Sequence, residues 1–146
     1  MVAATASWLS RTVRTPPATR PWSRLVSGAR LAVLVVDDSE VLRGLVSHYL
    51  DGEFDLQVIA SVDSAAAAVA HASRSRPDVI VLDHELPGPS GLDVLPELRL
   101  LCPGARIVVF SSSLHVRHEA LSRGADEFVS KEQPFPDLVD ALRTAR

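Results

Sequence analysis

Four short apolar runs in this chain each end at polar side chains that are suited to phosphoryl transfer. The runs are residues 31–36, 79–82, 107–110 and 127–130, and the polar groups that end them are Asp37 with Asp38, Asp83, Ser111, and Lys131. Lys131 is the only lysine in the sequence. Three carboxylates, a hydroxyl and an ammonium group would form one site if the fold brought these run ends together.

The three carboxylates would need a cation if they lay close together. Two carboxylates about 4 Å apart repel each other by roughly 1–4 kcal/mol, depending on the effective dielectric constant. Ligands that are all oxygen suit Mg²⁺ better than Zn²⁺. Alternatively, Asp37 or Asp38 only caps the helix that follows, which would account for one of the two residues.

Asp83 is the carboxylate best placed to react. It stands alone after its apolar run, and the segment 86–91, Leu-Pro-Gly-Pro-Ser-Gly, predicts an open loop beside it. A carboxylate can attack phosphorus as a nucleophile and form an acyl phosphate. Lys131 and a metal ion would neutralise phosphoryl oxygens, and the Ser111 hydroxyl would donate a hydrogen bond to another.

The order of elements predicts how these groups are positioned. Short β-branched runs alternate with helical stretches, which is typical of parallel strands buried on both faces. We expect an α/β three-layer sandwich in which right-handed crossovers join five strands and five helices. In open sheets of this kind, ligands bind beyond the carboxyl ends of the strands.

The boundaries follow from apolar spacing and from turn residues. The predicted strands are 31–36, 54–60, 78–82, 105–110 and 126–130, and the predicted helices are 39–51, 63–75, 91–101, 115–123 and 136–145. Asp63 or Ser64 is the expected N-cap of the second helix. Pro96 lies inside the third helix and costs about 3 kcal/mol or more in a helix interior, so this helix should start late or be kinked.

Charge divides the 146-residue chain into two parts. Residues 1–30 hold five arginines and no acidic residue, whereas residues 31–146 hold ten basic and eighteen acidic residues and a net charge of −8. We expect 1–30 to be a basic, disordered extension, either inert or used for targeting or partner binding, and 31–146 to be the folded domain. The apolar runs are too short to span a membrane. The negative charge of the domain disfavours sequence-independent binding to nucleic acid.

From about residue 31 to 145 the chain resembles the receiver domains of bacterial two-component response regulators. The resemblance lies in Val-Val-Asp37-Asp38-Ser, Val-Leu-Asp83-His-Glu-Leu-Pro-Gly-Pro-Ser-Gly91, Val-Val-Phe-Ser111-Ser and Gly124-Ala-Asp-Glu-Phe128-Val-Ser-Lys131. It implies a flavodoxin-like parallel sheet of strand order 2-1-3-4-5. These motifs are similar to those of receivers that usually precede a helix-turn-helix DNA-binding domain. No room for such a domain remains before Arg146, so a stand-alone receiver is expected.

The resemblance also implies residue roles. Asp83 would accept the phosphoryl group. Asp38 and Asp83 would bind Mg²⁺ through their side chains, Glu85 through its backbone carbonyl, and Asp37 mainly through water. Glu85 and Ser113 should tune dephosphorylation.

In the same resemblance, Ser111 is the switch hydroxyl, Lys131 the charged partner, and Phe128 the aromatic residue that turns inward after phosphorylation. A plain core role for Phe128 stays open. Glu132 follows Lys131 where the family often has a proline in a cis peptide bond. A non-proline cis bond costs about 2.5–4 kcal/mol, so a trans bond is expected here. His84, beside Asp83, is expected to be a solvated loop residue.

The implied partner is a histidine kinase or phosphotransfer protein in the cytoplasm, with an unknown protein target downstream. We expect a phosphoacceptor rather than an enzyme, no direct DNA binding, and a possible homodimer through the helix 4–strand 5–helix 5 face. The main alternative is a degenerate receiver that acts as a phosphorylation-independent interaction module. Less favoured are an aspartyl-phosphate phosphatase, which commonly needs aspartate where Glu85 stands, and a flavin-binding sheet, since Asp37 and Asp38 would repel the flavin phosphate.

Overall fold

Parallel strands and helices alternate throughout the part of the chain that this computed structural model describes, residues 29–143. The strands are β1 (Leu31–Val36), β2 (Leu56–Val62), β3 (Val79–Leu82), β4 (Arg106–Ser111) and β5 (Glu127–Ser130). The helices are α1 (Glu40–Asp51), α2 (Ala65–Ser75), α3 (Gly91–Leu101), α4 (Arg117–Ser122) and α5 (Phe135–Arg143), and a 3₁₀ turn (Leu114–Val116) precedes α4.

The five described strands form one parallel sheet in the order β2-β1-β3-β4-β5. Val36 of β1 pairs with Leu82 of β3, and Ser111 of β4 pairs with Ser130 of β5, so these carboxyl ends are in register. The expected α/β fold and strand order 2-1-3-4-5 are therefore confirmed.

Alternate residues of the strands face two separate apolar cores. Val33 and Val35 of β1 pack with α1 and α5 on one face of the sheet. Leu34 and Val36 pack with α2, α3 and α4 on the other face. Because both faces are covered by helices, the strands are almost continuously apolar, and the polar groups stand where the strands end.

Serine residues start the first three helices at the carboxyl edge of the sheet. The side chains of Ser39, Ser64 and Ser90 accept hydrogen bonds from backbone N–H groups in the first turns of α1, α2 and α3. Ser90 and Asp93 form a full capping box, which satisfies two backbone donors at once. These caps fix where each helix leaves the site.

Several predicted boundaries differ from the structure by one or two residues, including both ends of the second strand, which is Leu56–Val62 rather than 54–60. The second strand begins at Leu56 rather than 54, because Asp55 belongs to the preceding turn, where its carboxylate binds Arg143 of α5 at 2.7 Å. Helix α2 begins at Ala65 rather than 63, because Ser64 is its N-cap. The predicted helix 115–123 is a 3₁₀ turn followed by the short helix α4.

Helix α3 does not start late, so that part of the prediction made from Pro96 is wrong. The helix also does not stop at the proline. It is helical from Gly91 to Leu101 with Pro96 inside. A proline at this position leaves the carbonyl of Leu92 without its helical donor. The guanidinium of Arg123 donates to that carbonyl at 3.1 Å, so a contact distant in sequence compensates for the proline.

The expectations for residues 1–28 and 144–146, including the character of the basic extension, lie outside the described residues. Among the residues that are described, no helix is both long and apolar enough to cross a bilayer. No cis peptide bond occurs in that range either, so the bond after Lys131 is trans as expected.

Candidate functional site

The carboxyl ends of β1, β3 and β5 bring two aspartates and the single lysine into contact. Asp37 follows β1, Asp83 follows β3 and Lys131 follows β5. The Nζ atom of Lys131 lies 2.8 Å from Oδ2 of Asp37 and 3.0 Å from Oδ2 of Asp83. One ammonium group therefore joins both carboxylates across three strand ends.

Burial distinguishes the three aspartates of the site. Asp37 is 4% exposed and Asp83 is 3% exposed, whereas Asp38 is exposed to solvent. One carboxylate oxygen from each of the three lies within 4.8 Å of the others. The site is thus a buried acidic pair with a third carboxylate at its rim.

Burial also sets the protonation energetics of this pair. Loss of hydration raises the pKa of Asp83 above its usual range, and the hydrogen bond and charge of Lys131 offset only part of that rise. For Lys131, burial lowers the pKa, but the hydrogen bonds and charges of Asp37 and Asp83 outweigh burial and leave its pKa raised. Lys131 is therefore fully charged at neutral pH, whereas burial makes the ionised form of Asp83 energetically unfavourable.

Ser111 lies at the carboxyl end of the strand between β3 and β5. It is the last residue of β4 and has no exposed surface. Its backbone carbonyl accepts a hydrogen bond from the N–H of Lys131 at 3.0 Å, and its hydroxyl oxygen accepts one from the N–H of Ser113 at 3.1 Å. The backbone of Lys131 is therefore hydrogen-bonded directly to the residue that carries the hydroxyl.

Asp37 is held by the start of α1 rather than serving as its cap. The N–H of Ser39 donates to Oδ1 of Asp37 at 2.8 Å, and the guanidinium of Arg43 donates to the Asp37 carbonyl at 2.7 Å. Ser39 itself caps α1 by accepting from the N–H of Leu42. The alternative in which Asp37 or Asp38 is only a helix cap is therefore wrong for this helix.

The loop after Asp83 is fixed by a glycine in close contact with the strand end. The N–H of Glu85 donates to Oδ1 of Asp83 at 3.2 Å, and the N–H of Gly91 donates to the carbonyl of His84 at 2.8 Å. A Cβ atom at Gly91 would lie 2.1 Å from the carbonyl oxygen of Asp83. Only glycine lets the start of α3 approach Asp83 this closely.

Two residues near the site differ from the simplest expectations. His84 is half-buried rather than solvated, and its buried Nδ1 atom has no hydrogen-bond partner. Phe128 is only 4% exposed and packs in the core beneath α2, α3 and α4. Phe128 already faces inward and is a core residue here, and its role as a switch remains a prediction.

The donor set fits a hard divalent cation. Asp37, Asp38 and Asp83 each offer a carboxylate oxygen, and these oxygens lie within 4.8 Å of one another. The exposed position of Asp38 suits Mg²⁺, which usually keeps several coordinated waters. The backbone carbonyl of Glu85 follows Asp83 by two residues and stays a predicted ligand.

Sequence reasoning identified the charged groups but missed the residues that position them. Arg43 and Gly91 gave only weak signals, since an arginine in a helix and a glycine after a loop are both common. The hydroxyl of Ser113 donates to the carboxylate of Glu85, a contact that joins the β3–α3 loop to the β4–α4 loop. No spacing rule in the sequence predicts that contact.

The fold and this arrangement at its carboxyl edge define a receiver, and the sequence agrees. Residues 33–143 match the response regulator receiver domain family. The chain belongs to that family.

Similar proteins support the assignment. Over 116 residues, 77% of this chain, it is 38% identical to a protein-glutamate methylesterase/protein-glutamine glutaminase of Paramagnetospirillum magneticum. The response regulator domain of Thermotoga maritima CheB superposes with a TM-score of 0.70 at 29% identity, covering 80% of this chain and 96% of that one. A Burkholderia pseudomallei response regulator, solved with a phosphorylated aspartic acid and a calcium ion, gives a TM-score of 0.70 at 27% identity, covering 78% and 67%.

The matched region is only part of the curated relatives. It spans 30% of the Paramagnetospirillum protein and 51% of a probable transcriptional regulatory protein, TcrX, of Mycobacterium tuberculosis. The shared part is the two-component receiver, and a phosphorylation-independent module is not favoured.

Proposed function

We propose that this protein is a phosphorylatable receiver in which Asp83 accepts the phosphoryl group. The observation that carries the proposal is the contact of one ammonium group, Lys131 Nζ, with the carboxylates of both Asp37 and Asp83. An interaction module that never met phosphate would gain nothing from burying two carboxylates on a single lysine, because desolvation of such a group costs several kcal/mol per ion.

In the proposed reaction, an oxygen of Asp83 attacks the phosphorus of the donor. The bond from phosphorus to the donor breaks, and the leaving group departs with the bonding electrons. Lys131 then interacts with the phosphoryl oxygens and offsets their charge. A Mg²⁺ ion held by Asp37, Asp38, Asp83 and the Glu85 carbonyl would supply further neutralisation of negative charge when bound.

The response would begin at Ser111 and end at Phe128. A phosphoryl group on Asp83 would add acceptor oxygens for the Ser111 hydroxyl. Because that hydroxyl oxygen accepts a hydrogen bond from the N–H of Ser113, its movement toward the phosphoryl group would draw on the β4–α4 loop. Phe128 packs beside this region of the core, so its packing would change with the loop. Phosphorylation would shift the balance between two such arrangements.

The proposed phosphodonor is a histidine kinase or phosphotransfer protein. Helix α1 begins at the site edge and exposes two apolar side chains, Val41 at 75% and Leu45 at 55%, which suits a docking protein that must approach Asp83. The protein would be consumed stoichiometrically as a phosphoacceptor that assists its own phosphorylation and dephosphorylation. A cytoplasmic location, where such kinases act, is part of the proposal.

We propose output through protein contacts, with no direct DNA binding. A polar groove of about 380 Å³ lies between α4, β5 and α5, with Arg117 on one side and Asp137 and Asp140 on the other. Opposite charges on the two sides of one face suit pairing with a second copy about a two-fold axis. A homodimer through this face is one form of the proposed output.

The folded unit is proposed to be residues 31–146, preceded by a basic extension. Leu31 opens β1, pairs with Leu56 and donates its N–H to the carbonyl of Asp55 at 2.8 Å. A variant that lacks residues 1–29 should keep the melting temperature and phosphorylation rate of the full chain, as measured by calorimetry and intact mass. A drop of several degrees would show that the extension packs on the domain.

The test of the function is phosphorylation of the full chain by acetyl phosphate. With Mg²⁺, intact mass should show one phosphoryl adduct, stable in acid and labile in base, as expected of an acyl phosphate. The adduct should be absent with EDTA and in Asp83→Asn. An adduct that forms to the same extent in Asp83→Asn would refute the assignment.

A further inference from the structure

Two arginines join the end of α4 to α3 by hydrogen bonds that run in opposite directions. The guanidinium of Arg123, the C-cap of α4, donates to the carbonyl of Leu92 in the first turn of α3 at 3.1 Å. From the last turn of α3, the guanidinium of Arg99 donates to the carbonyl of Gly124 at 2.8 and 3.3 Å. The turn that follows α4 is therefore held by both ends of α3.

The acceptor of Arg123 exists because of a proline. Pro96 has no N–H to donate to the carbonyl of Leu92, four residues earlier in α3. Leu92 is only 4% exposed, and a buried carbonyl without a donor costs more than an ordinary hydrogen bond contributes. The contact from Arg123 is therefore worth more than one at an exposed helix carbonyl.

Close packing reinforces these hydrogen bonds. Gly124 has a φ of +119°, and a Cβ atom there would lie 3.3 Å from a methyl carbon of Leu95 in α3. The backbone of the turn thus lies directly against α3. We call this set of contacts, made by Arg99, Arg123 and Gly124 between α3 and the end of α4, the arginine clasp.

The start of α4 is held much less firmly. It follows the 3₁₀ turn Leu114–Val116, and neither Ser113 nor Val116 makes a side-chain capping hydrogen bond. The helix has only six residues, too few to be stable without packing. Leu114 is 63% exposed. An uncapped, partly exposed helix start opens at a lower free energy than a packed one.

We propose that Arg123 is a positioning residue that makes the end of α4 a fixed pivot, so that phosphorylation displaces the start of this helix and leaves its end in place. The inference rests on the proposed phosphorylation of Asp83. The start of α4 adjoins Ser113, whose N–H donates to the hydroxyl oxygen of Ser111, and so receives the movement of that hydroxyl. The surface that phosphorylation changes is then the start of α4.

Amide exchange on the full chain, with and without beryllofluoride and Mg²⁺, measures where the movement stops. In wild type, protection factors in residues 113–118 should change by about fivefold or more, and those in residues 119–125 should stay within error. In Arg123→Ala, the change should extend through residues 119–125, because the end of α4 is no longer held. His118→Ala, at an exposed position of the same helix, should keep the wild-type pattern.

Repairing the proline separates the pivot from a purely structural role of Arg123. Pro96→Ala returns an N–H to the carbonyl of Leu92, so Arg123→Ala in that background leaves no buried carbonyl without a donor. The double variant should fold with nearly wild-type stability. The exchange change should nevertheless extend through residues 119–125, because the clasp has lost Arg123. A role confined to compensating the proline would instead keep the change within residues 113–118.

A double-mutant cycle in denaturant checks that Arg123 compensates for the proline. Arg123→Ala should raise the equilibrium constant of unfolding by about 5- to 150-fold in the wild-type background, the range for an unsatisfied buried acceptor. In the Pro96→Ala background it should raise that constant by only about two- to tenfold, the range for one ordinary hydrogen bond. The two substitutions should therefore be non-additive.

Three results would overturn the pivot. They are an additive cycle, a wild-type exchange change that continues through residues 119–125, and a change that stays within residues 113–118 in both Arg123→Ala and the double variant. A wild-type chain in which beryllofluoride alters exchange nowhere is a different result, which would refute the proposed function and the pivot with it.

Discussion

At the scale of single residues, the site depends on how two buried carboxylates share one ammonium group. Lys131 contacts Asp37 and Asp83 at hydrogen-bond distance, and both aspartates are almost fully buried. Removing one partner of a buried pair leaves the other charge uncompensated, which commonly costs 3–5 kcal/mol, roughly, in measured cases. Lys131 is therefore expected to contribute to the stability of the fold as well as to the proposed response.

Lys131→Ala is expected to lower the free energy of unfolding by about 2–4 kcal/mol in EDTA. Because Mg²⁺ can replace some of the missing positive charge, part of this loss should return when the ion is added. Phosphorylation should be slower, or should no longer change the conformation. Denaturant melts with and without Mg²⁺ measure the stability, with Lys131→Arg as the comparison because a planar fork does not replace a compact point charge. Wild-type kinetics and wild-type spectral changes in Lys131→Ala would contradict the role.

The raised pKa of Asp83 gives a prediction about stability and pH in the absence of divalent cations. Burial makes the pKa of Asp83 higher in the folded chain than its ordinary value of 3.8. The protonated form is therefore favoured by folding, and stability from this group is full below that value and is lost as the pH rises through the folded pKa. At neutral pH in EDTA, Asp83→Asn should melt at a higher temperature than wild type.

The advantage of Asp83→Asn should shrink as the pH falls through the raised pKa of folded Asp83 and disappear below its ordinary value of 3.8, where the carboxyl is neutral in both the folded and the unfolded chain. Calorimetry from neutral to acid pH measures the difference. A variant less stable than wild type at neutral pH in EDTA would show that the Lys131 contact outweighs the cost of burying Asp83.

At the scale of elements, the starts of helices determine where the reactive groups stand. Serine caps were recognisable from the sequence because their chemistry is local, and Ser64 was one of the two residues predicted to cap α2. The late start predicted because of Pro96 was wrong, since α3 is helical from Gly91, and the predicted kink stays a prediction. Arg123, 27 residues after Pro96, donates to the carbonyl of Leu92 that the proline leaves without its helical donor. A contact of that range leaves no periodic signal in the sequence.

Gly91→Ala should disrupt the element that carries Asp83. Its Cβ would lie 2.1 Å from the Asp83 carbonyl oxygen, so the β3–α3 loop must move, at a cost of about 1–3 kcal/mol or more. The phosphorylation rate should fall together with the free energy of unfolding.

The matched control is Gly44→Ala, in α1. A Cβ there has no neighbour within 4 Å, and alanine in a helix interior is more stable than glycine by about 0.5–1 kcal/mol. Equal behaviour of the two variants in chemical denaturation would mean that close approach at Gly91 does not position Asp83.

At the scale of the whole molecule, the sheet brings four separate sequence segments together at one site. The strand order could be predicted because the alternation of strands and helices, together with the family resemblance, allows few topologies. The hydrogen bond from Ser113 to Glu85 could not be predicted, since both residues lie in loops and meet only through the relative placement of β3 and β4. Groups at strand ends are predictable from the sequence, whereas contacts between the loops that follow them are not.

Beryllofluoride with Mg²⁺ should change amide exchange mainly in residues 111–135. This range contains Ser111, the α4 region, Phe128 and Lys131, which the proposed response connects. Strand β2 and helix α2 lie outside it and serve as the internal reference. Coupling free energies of this kind are commonly about 1–3 kcal/mol, which would change protection factors by roughly 5- to 150-fold. Equal exchange with and without the mimic would contradict a conformational output through this face.

The central claim, that Asp83 is the phosphoacceptor, is tested most directly by chemical trapping of the modified residue. Borohydride reduces an acyl phosphate to the alcohol and so converts a phosphorylated aspartate into homoserine, which peptide mass mapping can locate. After treatment of the full chain with acetyl phosphate and Mg²⁺, homoserine should be found at position 83, and Asp37 and Asp38 should remain unchanged. Homoserine at position 37 or 38, or none at position 83 when an intact phosphoryl adduct is present, would contradict the account.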